Sequence, residues 1–185
     1  VLASALAGVI LHSGGDDIST LIGGEQIVVL AHSEGYDPFL LPETTAVKDG
    51  EGYRLTGRKL AVRHADLAHQ LLVTATLDGE AGIYLVEAGA DGLVLDSYRL
   101  IDGSSAATIE LSKVAARRIG GGDVITAAVE RGVVALAAEA VGIITALNAA
   151  TFAYLGTRKQ FGLPLASFQA LQHRAADMYA AAGLD

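Results

Sequence analysis

The chain has 185 residues, a formal net charge of −8, 51% hydrophobic and 18% charged residues, and no Cys. That length holds one large domain or a domain and part of another, and the apolar content suits a packed core rather than disorder. The acidic balance disfavours nucleic acid and anionic membrane surfaces as partners. The missing Cys excludes disulfides, thiolate metal ligands and a Cys nucleophile, and fits a cytoplasmic setting.

Residues 1 to about 21 are apolar at roughly helical spacing until Gly14-Gly15, with no basic segment ahead of them. They read as the end of an N-terminal helical domain, not as a signal peptide. From 22 to 121 short strands are expected: Gln26 to His32, Tyr53 to Leu55, Gln70 to Thr76, Gly82 to Glu87, Leu93 to Arg99 and Ala107 to Leu111. Turn signals such as Asp49-Gly50, Asp78-Gly79, Asp91-Gly92 and Asp102-Gly103 separate them. Strands this closely spaced, with no helix-length segment between them, predict an antiparallel β-sandwich or barrel. Gly120-Gly121-Gly122 reads as a linker, Asp123 as a helix N-cap, and Val124 to Leu155 as one long helix. A second helix is expected after Pro164, from about Ser167 to Ala182, with Phe168, Leu171, Ala175 and Met178 on one face. The fold class is therefore α+β and multidomain: a helical end (1–21), a β middle domain (22–121) and the start of a helical bundle (122–185).

The stretch Val133 to Tyr154 is apolar enough to suggest a membrane span. Glu139 and Asn148 interrupt it, so burial in a helical bundle or an oligomer interface is the expectation. His64 and His69 flank Asp66, but a spacing of five with no further ligand cluster is poor for a metal, and none is expected.

The segment Tyr154-Leu-Gly-Thr-Arg-Lys-Gln-Phe-Gly-Leu-Pro-Leu-Ala-Ser-Phe-Gln169 resembles the Arg-x-x-Phe-Gly…Phe-Gln signature of acyl-CoA dehydrogenases, and its continuation to Met178 is similar as well. Thr45-Ala46, followed by Gly52-Tyr53-Arg54-Leu55-Thr56-Gly57-Arg58-Lys59, resembles the Ala…Gly-Tyr-x-Leu-x-Gly-x-Lys hairpin of that family. Ala31-His32-Ser33-Glu34 stands where the family has an Ala-x-Ser/Thr-Glu-Pro run. The wording around His32-Ser33-Glu34 and Ala138 to Gly142 most resembles a bacterial subgroup, the small subunits of pimeloyl-CoA dehydrogenase. The resemblance covers nearly the whole chain.

On its own residues, Arg158 either offsets a helix dipole or grips a diphosphate with paired, charge-assisted hydrogen bonds. The resemblance implies the second, with the diphosphate belonging to FAD of a neighbouring protomer and with Gln160 and Phe161 beside it. It places Gln169 near the adenine end of FAD, where the bland alternative is an exposed helix-start residue. It places the Ser33 hydroxyl on the flavin ring, where the alternative is a turn serine. Glu34 is a solvated loop acid or a cleft Glu, and Lys59 is structural. The implied reaction removes an α-proton from an acyl-CoA thioester as the β-hydrogen leaves as hydride to flavin N5, and electrons then pass to an electron-transferring flavoprotein.

Two departures bear on this. The family continues Glu-Pro-x-x-Gly-Ser-Asp, whereas this chain reads Glu34-Gly-Tyr-Asp-Pro-Phe-Leu-Leu41. Where the family places Trp-x-Thr, this chain has Ala61-Val62-Arg63. No catalytic base is assigned. A minority of the family carries it early in the long helix, at the position of Gly132; Glu130 points away from that face, and Glu139 reads as a bundle ion-pair partner. Alternatives to the dehydrogenase are a half-site or non-catalytic subunit of a hetero-oligomer, and a flavin monooxygenase or nitroalkane-oxidase-like enzyme on the same scaffold.

Overall fold

The computed structural model describes residues 2–35 and 41–183. The chain divides into two compact units, Val1–Gly132 and Val133–Asp185.

In the first unit, helix α1 (Leu2–Ser13) stops at the Gly14-Gly15 turn, and a single turn of helix, α2 (Ser19–Ile22), follows. Seven strands come next: β1 (Val28–Ala31), β2 (Thr45–Asp49), β3 (Gly52–Arg63), β4 (Gln70–Leu77), β5 (Glu80–Glu87), β6 (Leu93–Arg99) and β7 (Ser105–Gly121). Hairpins β2–β3 and β4–β5 are antiparallel, and β7 pairs antiparallel with β3, β5 and β6. The sheet is mixed, which corrects the antiparallel expectation. β1 runs parallel to β4, and β2 meets β4 in parallel at Thr45 and Thr76. The β2–β3 hairpin lies between these strands in sequence, and its two reversals return the chain to its starting direction.

Two cores explain the strand composition. Leu71, Val73 and Ala75 of β4 pack with Val29, Leu55, Tyr84, Ile109 and Val114 on one face. Leu72 of β4 turns the other way, onto Ala7, Ile10 and Leu11 of α1 with Val28, Ile83, Ile125 and Ala128. A strand covered on both faces needs a continuous apolar run, which is what Leu71 to Val73 supplies.

Gly120 and Gly121 are the last residues of β7, paired with Ile83 and Gly82, so no linker separates sheet from helix. Helix α3 (Gly122–Thr157) starts at Gly122, which puts Asp123 in its first turn rather than at the N-cap; there its carboxylate still faces the positive end of the helix dipole. In the second unit, the two-residue strands β8 (Lys159–Gln160) and β9 (Leu163–Pro164) form a hairpin, and helix α4 (Gln169–Ala182) follows. Phe168, Leu171, Ala175 and Met178 are half-buried between exposed neighbours, as the spacing predicts.

α3 is long and apolar enough, by length and composition alone, to cross a membrane. Only 6% of its most apolar window is buried within this chain, so the burial expected for Val133 to Tyr154 is not provided by the described residues. Val133, Val134, Leu136, Ile143 and Leu147 all stand exposed.

Candidate functional site

Two polar groupings carry the residues singled out from the sequence, one in each unit. In the first, β1 delivers His32, Ser33 and Glu34 to the middle of β3. The ammonium of Lys59 is wholly buried and donates to Glu34 Oε1 at 2.6 Å, to the Thr74 hydroxyl at 2.9 Å and to the His32 carbonyl at 3.2 Å. The Glu34 carboxylate also accepts from the Thr44 backbone N–H at 3.0 Å, and from the Thr44 hydroxyl and the Glu43 N–H. Glu34 is thus no solvated loop acid; its side chain is 13% exposed. Burial pushes its carboxyl up, but the bonds from Lys59 and Thr44 outweigh that and leave it below the ordinary value. Burial pulls the Lys59 ammonium down, Glu34 offsets part of the effect, and the result is about 8.

Local sequence explains the close fit. Thr44 is 1% exposed and lies against Gly57, where a Cβ would come within 2.6 Å of the Thr44 hydroxyl and 2.7 Å of its Cα. Only Gly at 57 lets the 43–44 backbone reach Glu34. The Ser33 hydroxyl donates to the Gly35 carbonyl at 3.2 Å, and the Ser33 carbonyl accepts from the Leu60 N–H at 2.7 Å. Of the departing loop after Glu34, residues 36–40 lie outside the described residues.

Ala61 is exposed and sits at φ +51, inside the β3–β7 register shift. Arg63 is taken up by the next turn: its guanidinium reaches Asp102 at 2.6 Å and the Ser104 hydroxyl at 3.0 Å. Bonds from the Ser104 hydroxyl and N–H, then from Arg63, hold the Asp102 carboxyl at about 2. Asp66 accepts from the Ser105 hydroxyl at 2.5 Å, and His69 Nδ1 accepts from the Ile27 N–H at 3.0 Å, so both have protein partners.

In the second unit, four of the five predicted cofactor residues, Arg158, Gln160, Phe161 and Gln169, lie in or next to the segment of the β8–β9 hairpin. Arg158 leaves α3 with its N–H on the Tyr154 carbonyl, and its own carbonyl accepts from Leu165 N–H at 2.8 Å. Gln160 pairs with Leu163, and the turn between them holds Phe161 at φ +53 and Gly162 at φ +80. A phenylalanine in the left-handed region is uncommon and costs on the order of 1 kcal/mol. Phe161 is 92% exposed and meets Phe168 edge to face, with ring centroids 6.2 Å apart. Arg158, Gln160 and Gln169 are exposed, and the Arg158 guanidinium has no hydrogen bond or ion pair among the described residues.

Glu130 and Glu139 are exposed, and among the described residues neither forms an ion pair; the bundle pairing expected of Glu139 is not made among them. Gly132 is buried, and a Cβ there would lie 3.1 Å from Leu6 Cδ2. The polar node beneath Ser33 was missed in the sequence. Its one signal was a lysine directly ahead of the apolar run Leu60-Ala61-Val62 in a strand.

A mixed sheet that runs into a long helix, a hairpin and a second helix defines an α+β class with many solved members. A family model, the C-terminal domain of acyl-CoA dehydrogenase, matches residues 120–183. Acyl-CoA dehydrogenase FadE27 of Mycobacterium tuberculosis is 36% identical over 137 residues, covering 72% of this chain and 37% of that protein. The solved structure of a variant of the Tcur3481-Tcur3483 steroid ACAD superposes with a TM-score of 0.86 at 32% identity, over 96% of this chain and 50% of that one. The ChsE4-ChsE5 complex from Mycobacterium tuberculosis superposes with a TM-score of 0.79 at 30% identity, over 88% and 45%. The chain belongs to the acyl-CoA dehydrogenase family, and it spans half or less of the length of each of these relatives.

Proposed function

We propose that this chain forms part of an FAD-dependent acyl-CoA dehydrogenase, an oxidoreductase that introduces an α,β double bond into an acyl-CoA thioester. The observation that carries the reading is Arg158. An exposed guanidinium without a partner among the described residues lies three positions before an exposed aromatic ring whose backbone is held in an unfavourable conformation. A planar fork, an aromatic ring and the amides of Gln160 and Gln169 are a donor set suited to a diphosphate and a nucleobase. These four residues would hold the nucleotide part of FAD bound by a neighbouring protomer, and Ser33 would meet a flavin ring. FAD when bound supplies the hydride acceptor, and the residues of this chain bind and orient it. The α-proton requires a base, and no residue of this chain is assigned that role.

Residues 1–21, 22–121 and 122–185 are read as the end of one helical domain, a β domain and the start of a second helical domain. The run of pairings from β4 through β5, β7, β3 and β2 back to β4 supports a barrel for the middle part. The exposed apolar residues of α3 support packing against further helices, in a homo-oligomer or beside a related subunit. Acyl-CoA and an electron-transferring flavoprotein are the proposed partners, and the cytoplasm the proposed setting.

A half-site subunit is the second reading. Ala61 offers no ring to cover a flavin, Arg63 is engaged by Asp102, and a relative of this fold is a complex of two differently named chains. The visible spectrum of the intact protein tests both readings. Oxidised flavin that bleaches on addition of acyl-CoA supports the enzyme. Flavin held only after a second, related subunit is added supports the half-site. No flavin under either condition overturns both.

A further inference from the structure

We propose that Lys59 is a positioning residue for the flavin site, holding Ser33 in place through the residues on either side of it. The inference rests on the FAD reading above and deepens it. Three contacts from adjacent positions of β3 converge on three consecutive residues. Lys59 Nζ binds the His32 carbonyl at 3.2 Å and Glu34 Oε1 at 2.6 Å, and the Leu60 N–H binds the Ser33 carbonyl at 2.7 Å. The third proton of the ammonium goes to Thr74 on β4 at 2.9 Å, so all three are used. Thr74 in turn lies 3.1 Å from His32 Nδ1. Glu34 carries the hold onward to the Glu43 and Thr44 backbone, which fixes the far end of the loop that leaves Ser33. A lysine kept out of water costs free energy unless its charge is matched, and here the match is made to the chain on both sides of one serine. Among the described residues the Ser33 hydroxyl is otherwise tied only to the Gly35 carbonyl, so its placement depends on this backbone.

A merely structural lysine and a positioning lysine differ in one measurable respect: only the second acts through Ser33. FAD dissociation constants of the intact protein, with its partner subunit where one is needed, are measured by flavin fluorescence for Lys59→Met with Ser33 present and again in a Ser33→Ala background. Lys59→Met weakens binding about 10- to 100-fold with Ser33 present and less than about 3-fold without it, since small misplacements of a contact group cost of that order. Lys59→Met moves the visible band of bound flavin when Ser33 is present and leaves it unmoved in the Ser33→Ala background. Equal weakening in both backgrounds, or binding unchanged by Lys59→Met, overturns the proposal and leaves the FAD reading standing. If the wild-type protein binds no FAD, the FAD reading falls and takes this proposal with it. Should Lys59→Met fail to fold, Thr74→Val decides by the same comparison. It removes one of the three Lys59 acceptors and keeps the side-chain shape, with about 3- to 10-fold weakening expected only when Ser33 is present.

Discussion

Glu34→Gln tests whether the buried pair governs the stability of the sheet. The carboxylate takes four donors: Lys59 Nζ, the Thr44 N–H and hydroxyl, and the Glu43 N–H. A glutamine of the same shape keeps one carbonyl oxygen, but its NH2 must face at least one of those donors. Removing one partner of a buried ion pair costs about 3–5 kcal/mol, and the 13% exposure of Glu34 places the loss near the lower end, about 3 kcal/mol. Lys59→Met, which strands the carboxylate and removes a wholly buried charge, costs about 3–5 kcal/mol. Because each substitution destroys the same interaction, the double variant falls short of the sum by about 1–3 kcal/mol. The assay is urea unfolding followed by circular dichroism, since the chain has no Trp. Single losses below about 1 kcal/mol, or strict additivity, would show that the pair behaves as a solvent-exposed bridge and refute the reasoning.

Three further outcomes follow from the same geometry. Lys59 titrates near 8 in the folded chain against 10.5 for a free lysine, so its contribution is fully present above pH 10.5 and is lost as pH falls through 8. The stability gap between wild type and Lys59→Met should therefore widen by up to about 3 kcal/mol between pH 7.5 and 10.5, and a flat gap in urea unfolding would contradict the assignment. Gly57→Ala drives a Cβ into the buried Thr44 and should cost about 2–4 kcal/mol in thermal unfolding; a loss under about 0.5 kcal/mol would mean the 43–44 segment is free to move. Arg158→Lys keeps the charge but loses the fork, so FAD affinity measured by calorimetry should fall about 10-fold with the melting temperature unchanged.

The elements carrying a periodic or alternating pattern were legible. β6 and the body of α3 fall where apolar spacing put them, and the predicted face of α4 is half-buried. β2 escaped because only Ala46 of its five residues is buried, which leaves no alternation to read. β3 and β7 run far past the segments marked, since Gly57, Lys59 and the basic stretch at Arg117-Arg118 interrupt their apolar pattern. The parallel pairing of β1 with β4 spans 42 residues, and nothing local encodes it. The residues proposed to hold the cofactor at the β8–β9 hairpin were singled out through a motif. The Lys59–Glu34 pair was not, because two charges 25 residues apart look solvated until the fold joins them.

The contact between Gly132 and Leu6 limits what evolution or engineering can do with this scaffold. Any carboxylate introduced at 132 would compete for the volume the leucine fills, with a Cβ already 3.1 Å from Cδ2. A proton acceptor gained there therefore requires the Leu6 side chain to give way by a few tenths of an ångström. How readily that part of α1 yields sets the stability cost of the substitution.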